Sequence, residues 1–162
     1  MPEPLACLLT WTCYGTWLHG DERGSVDAEH NARGEPFLGA SRERERRSRA
    51  RMTHAPVRLA AKARQIVRDT IAAHCRLRGW TLHGASVRSN HVHVVVSCPV
   101  PAHQAHRELK TWCTRRLREA GVFDACHPVW TEGGSGRYLW TPRSVQRAIE
   151  YVSDYQGRDL DS

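Results

Sequence analysis

The run His91-Val92-His93-Val94-Val95-Val96 carries the sharpest chemical signal in the chain. In a strand, residues two apart point to the same face. His91 and His93 therefore project together, with Cβ atoms about 7 Å apart. Two imidazoles at that separation can converge on one divalent ion. Val92, Val94 and Val96 fill the opposite face, and Val95 continues the histidine face away from the pair. A bare His-x-His also fits a half-exposed strand whose rings are only hydrogen-bonded, so the pair needs company before it means catalysis.

The company is a tyrosine near the end of the chain. Of Tyr14, Tyr138, Tyr151 and Tyr155, the last two fall in a segment with helical periodicity, whose apolar centre is Val145, Ile149 and Val152. On a helical wheel Tyr155 lies roughly 60° from that centre and Tyr151 roughly 100°. Tyr151 thus stands at the edge of the stripe, where a side chain reaches into a neighbouring cleft, and Tyr155 is the packing residue. Gln156 lies toward the apolar side, where an amide needs a partner, and a metal ion is one candidate.

A tyrosine oxygen can attack phosphorus, keep the 5′ phosphate as an ester and release a 3′ hydroxyl. With a pKa near 10 it needs help at neutral pH. A metal ion supplies that help by polarising the scissile phosphate. Two histidines, an oxygen ligand and a tyrosine in one cleft would suffice, and imidazole with oxygen ligation suits Mg²⁺ or Mn²⁺ when a phosphate is also bound.

The elements that must position these groups are legible. Residues 5–18 are apolar with β-branched and aromatic side chains, which predicts a strand closed by Gly15 and Gly20. Residues 20–57 hold glycines, prolines and the run SRERERRSRAR, with no apolar periodicity, which predicts a long, mobile basic loop. Leu59, Ala63, Ile66, Val67, Thr70, Ile71 and Cys75 predict a helix over 57–78, ended by Gly79. Residues 80–88 and 91–98 read as an antiparallel hairpin. A second helix over about 103–120 shows Ala105, Leu109, Trp112, Cys113 and Leu117 on its apolar side, and Lys110, Arg115, Arg116 and Arg118 mostly on the other. Short extended pieces follow at Val129-Trp130 and at Tyr138 to Trp140, flanking a glycine-rich link. Thr141-Pro142 opens the last helix as N-cap and first-turn proline. The order gives an α+β chain: a ferredoxin-like β-α-β-β-α-β core with an added C-terminal helix carrying the tyrosine.

The chain has 162 residues, which fits a single domain over 1–162. It carries a formal charge of +7, and only Lys62 and Lys110 are lysines. Arginine binds phosphate bidentately and stacks on bases, so the bias suits nucleic acid. None of the six cysteines stands in a CxxC pair, which excludes a zinc ribbon and favours reduced, mostly buried thiols. No apolar run approaches the ~20 residues of a membrane span, and the start does not read as a secretory signal. The expectation is a cytoplasmic protein without a membrane partner.

The stretch VRSNHVHVVVS resembles the HUH motif (His, hydrophobic, His) of single-tyrosine transposases, a family that includes the REP-associated tyrosine transposases. The opening LLTWTCYGTWLHGD, the segment GRYLWT and the tail AIEYVSDYQG are similar to that family as well, so the resemblance spans about residues 5–160. It implies a ferredoxin-like fold, a homodimer, recognition of single-stranded or hairpin DNA, and Mg²⁺ or Mn²⁺. It further implies a bacterial, nucleoid-associated transposase that cuts and rejoins single strands through a 5′-phosphotyrosine. Position by position, His91 and His93 match the HUH ligands and Tyr151 the nucleophile. The family's third ligand, an Asn or Gln, usually sits four residues after the tyrosine, where this chain has Tyr155; Gln156, one place later, is the expected substitute. Arg88, Lys110, Arg115, Arg116, Arg118 and the 42–51 run are expected on DNA.

Two alternatives stay open on the sequence. One is a domesticated relative that binds or nicks repeat hairpins without transposing. The other is a structural RNA-binding sheet, which would need exposed aromatics on its central strands where this chain has histidines and valines.

Overall fold

The structure is a computed structural model describing residues 2–16 and 53–156, with Tyr155 and Gln156 described in their backbone only. Its elements are β1 (Ala6–Thr12), α1 (Ala61–Arg78), β2 (Thr81–Val87), β3 (His91–Ser97), α2 (Ala102–Glu119), β4 (Ser135–Leu139) and α3 (Pro142–Gln156). The four strands form one sheet in the order β2-β3-β1-β4, every neighbouring pair antiparallel. Each pair separated by a helix, β1 with β2 and β3 with β4, is thus parallel with another strand between. This is the expected ferredoxin-like arrangement, with α3 as the addition.

Side-chain alternation divides the sheet into two faces. Leu9, Trp11, Val92, Val94 and Val96 are buried against α1 and α2. The helices contribute Ala63, Val67, Ile71 and Cys75 from one, and Ala105, Leu109, Cys113 and Leu117 from the other, at the four-residue spacing of a buried stripe. On the opposite face Ala6, Val95 and Leu139 meet Ala148 and Val152 of α3. The helix sits low over β2, because a Cβ on Gly84 would lie 3.9 Å from Val152 Cγ1. Val92, Val94 and Val96 therefore fill the face away from the histidines, as their alternation predicts.

The sequence misplaces three boundaries. The first helix begins at Ala61, not at 57, because the Val57 N–H donates to the Tyr14 carbonyl and the Leu59 N–H to the Ser89 carbonyl. Those bonds hold both buried residues in extended chain. The first strand ends at Thr12, and Cys13 adds only an isolated bridge to Trp130 before the turn at Gly15. The last strand starts inside the glycine-rich link, where a Cβ on Gly136 would come within 2.9 Å of the Ala102 Cβ. Most of the predicted basic loop, including 42–51, lies outside the described residues.

Gly79 ends α1 in the left-handed conformation at φ 70°. Thr141 caps α3 reciprocally: its Oγ1 accepts from the Ser144 N–H at 3.0 Å, and Ser144 Oγ accepts from the Thr141 N–H at 3.1 Å. All six cysteines are thiols, and Cys7, Cys13, Cys75 and Cys113 are buried. Among the described residues no helix is long and apolar enough to cross a membrane.

Candidate active site

The strand register puts five polar residues on the sheet face that α3 covers. Thr10 pairs with His93, Thr12 with His91, and Ser86 with His93. Direct partners in an antiparallel sheet share a face, so Thr10, Thr12, Ser86, His91 and His93 stand together. The two imidazole centroids are 4.9 Å apart at an interplanar angle of 78°. Tyr151 arrives from α3 on the same side, its ring centroid 5.5 Å from that of His93. The side chain remains 43% exposed, which suits a group at the rim of the apolar stripe. Histidines and tyrosine meet within a single chain.

Each imidazole is oriented through Nδ1. His93 Nδ1 lies 2.9 Å from Thr10 Oγ1, and His91 Nδ1 lies 2.7 Å from Asn90 Oδ1. Since a carbonyl oxygen only accepts, His91 donates from Nδ1, which puts the ring's lone pair on Nε2. The Thr10 carbonyl in turn accepts from His106 Nε2 at 3.2 Å. Gly134 makes room for that ring: a Cβ there would fall 2.1 Å from His106 Nε2.

Burial holds His93 well below the ordinary imidazole range, at about 4, with the charges of His91 and Arg88 pushing the same way. His93 is therefore neutral near pH 7, the protonation state a metal ligand needs. The Thr12 and Ser86 hydroxyl oxygens on the same face are buried without a hydrogen-bond partner among the described residues. Two oriented imidazoles, that of His93 neutral, beside unsatisfied hydroxyls fit a hydrated divalent ion. No third His, Cys, Asp or Glu completes a metal cluster among the described residues.

The other expected site residues scatter. Gln156 closes α3, and its side chain lies outside the described residues. Arg88 stays with the site, in the turn between β2 and β3. Lys110, Arg115, Arg116 and Arg118 lie on α2, across the sheet from α3. Lys110 Nζ donates to the Thr131 and Gly133 carbonyls, both at 2.9 Å. Arg115 and Arg116 hold Glu119 and stack on Trp112 at 5.0 and 5.6 Å. Arg118 donates to the His127 carbonyl. Sequence reasoning missed Thr10, Thr12, Ser86 and Asn90 as partners of the histidines. The available signal was Thr10 and Thr12 at two-residue spacing in an otherwise apolar strand.

The fold has solved counterparts. The structure of a REP-associated tyrosine transposase bound to a REP hairpin matches 99% of this chain and 73% of its own, with a TM-score of 0.54 and 11% identity. The chain has the tyrosine-transposase fold. A candidate transposase from Deinococcus radiodurans R1 shares that transposase fold at a TM-score of 0.51, with 11% identity over 96% of this chain and 93% of its own. No family model and no curated protein matches the chain in sequence.

Proposed function

We propose that this chain is a tyrosine transposase of the single-tyrosine HUH type, a metal-dependent nuclease and strand transferase acting on single-stranded or hairpin DNA. The observation that carries the reading is the convergence of Tyr151 with His91 and His93 on one sheet face. The transposase fold and the VRSNHVHVVVS resemblance support it. The REP hairpin held by the solved counterpart sets the substrate class we extend to this chain.

His91 and His93, with Gln156 as third ligand, would hold Mg²⁺ or Mn²⁺, and what the ion supplies when bound is polarisation of the scissile phosphate. Tyr151 provides the nucleophile. Its oxygen bonds to phosphorus as the bond to the 3′ oxygen breaks, and a 3′ hydroxyl leaves with a proton. Attack by another 3′ hydroxyl reverses the step, restores Tyr151 and joins the new strand. Thr10 and Asn90 keep the imidazoles in register, and Arg88 neutralises phosphate beside the histidines. The active form in this reading is a homodimer working on DNA inside a bacterial cell.

The test is cleavage of a labelled hairpin with a single-stranded flank in the presence of Mn²⁺. Expected are metal-dependent nicking by the wild type and its loss in His91→Ala and His93→Ala. Cleavage that persists in EDTA, or in both variants, would overturn the metal assignment.

A further inference from the structure

Four rings gather outside the core at the end of the sheet nearest the histidines. Tyr14 follows β1, His54 precedes α1, and Phe123 and His127 lie between α2 and β4. The ring centroids of His54 and His127 are 5.0 Å apart, those of Phe123 and His127 5.9 Å, and Tyr14 stands 6.4 and 6.3 Å from the two imidazoles. None of the four is buried, and His54 is exposed. Tyr14 and Phe123 lean on the edge of the larger core, so the cluster is a surface with an apolar footing.

Its parts are fixed before anything binds. The Tyr14 N–H donates to the Val129 carbonyl, and the Tyr14 carbonyl accepts from the Val57 N–H. The Thr53 N–H donates to Tyr14 Oη at 2.9 Å, and His127 Nδ1 donates to the Pro128 carbonyl at 2.8 Å. Arg118 borders the rings, donating to the His127 carbonyl, and Arg58, next in sequence to the Val57 that bonds Tyr14, donates to Ser89 Oγ. Each guanidinium carries five N–H donors, more than that one bond engages. The Cys13 N–H donates to the carbonyl of Asn90, so Tyr14 lies beside the residue preceding His91.

We infer that Tyr14, His54, Phe123 and His127 form a stacking platform for an unpaired nucleobase of the DNA strand held at the histidine and tyrosine site, an inference that rests on the function proposed above. Rings offer π-faces that any base can stack on, and flanking arginines take the phosphates. A metal site is the weaker reading of the imidazole pair, because no third His, Cys, Asp or Glu joins it among the described residues.

The experiment is binding of a fluorescent hairpin with a single-stranded flank, by anisotropy, to the full chain and to His54→Ala, His54→Phe and Tyr14→Ala. The two alanine variants are expected to bind about tenfold more weakly, and His54→Phe about as well as wild type. One abasic position in the flank should weaken wild-type binding equally and add nothing to the His54→Ala loss. Melting curves check the fold; if Tyr14→Ala unfolds, the exposed His54 pair of variants decides. Wild-type binding with His54→Ala equally tight, or abasic and alanine losses that simply add, overturns the platform alone. Failure of the wild type to bind any strand removes the proposed function and the platform with it.

Discussion

The ring of Tyr151 stands across the imidazole of His93, with centroids 5.5 Å apart and planes at 76°. One residue comes from the added helix, the other from a central strand, and 58 positions of sequence separate them (151 − 93). The small residues beneath α3 allow the approach, since Gly84 and Ser86 occupy the β2 positions opposite Val95 and His93.

Thr10 sets the orientation of His93. Thr10→Val keeps the shape and removes the oxygen that holds Nδ1. Loss of such an outer partner typically weakens metal binding about 10- to 100-fold. Calorimetric titration with Mn²⁺ should show that loss with little change in melting temperature. Unchanged affinity would mean that Thr10 does not position the ligand.

Stability should fall in acid. Burial, with the charges of His91 and Arg88, holds His93 at about 4, and burial, with Lys110, holds His106 at about 4 despite its bond to the Thr10 carbonyl. The ordinary imidazole value is about 6.5. Because the folded pKa is the lower one, the unfolded chain takes up protons first. The stabilisation is full above about pH 6.5 and is lost as pH falls toward 4, at up to about 1.4 kcal/mol per unit for each imidazole. Urea melts of the metal-free protein over that window should show the slope. His106→Gln, which keeps an N–H donor, should flatten it by about one proton.

Gly134 admits no side chain. At φ 145° a Cβ would fall 2.1 Å from His106 Nε2 and 2.6 Å from the Thr10 carbonyl oxygen. Gly134→Ala should destabilise by about 2 kcal/mol or more, a fall of several degrees in Tm. A melting curve superimposable on wild type would contradict the close packing of His106 on β1.

The thiols should separate by reactivity. Cys126 is exposed and Cys98 half-buried. A hydrogen bond from Cys7 holds Cys98 down to about 7 against the effect of burial. Burial pushes Cys13 up to about 12 and Cys75 up to about 11, while Cys98 adds to the rise at Cys75. Iodoacetamide at neutral pH should label Cys126 and Cys98 in the native protein, and Cys7, Cys13, Cys75 and Cys113 only after denaturation, as mass spectrometry of tryptic peptides would read. Fast native labelling of Cys113 would contradict the core as described.

Much of this was legible because local periodicity and tertiary burial agree. The alternation around His91 and His93 sends valines one way and histidines the other, and the hairpin pairs as expected. The edge position of Tyr151 on its helix is what a 3.6-residue period dictates. The sequence fails where a distant partner decides. Val57 and Leu59 continue an apolar stripe, yet carbonyls of Tyr14 and Ser89 draw them into extended chain. Lys110 reads as a cation for phosphate, yet the two carbonyls that hold it come from residues 131 and 133. Thr10 and Ser86 become part of the site only once the register sets them opposite His93.

The most direct test of the central claim is the covalent adduct itself. The full chain is incubated with a hairpin labelled at its 3′ end, on the side of the cut that the tyrosine retains, and Mn²⁺, denatured, and the cross-linked peptide is sequenced by mass spectrometry. The expected result is a phosphodiester between DNA and Tyr151, absent in Tyr151→Phe. An adduct that persists in Tyr151→Phe, or that maps to another residue, would contradict the assignment of Tyr151 as nucleophile.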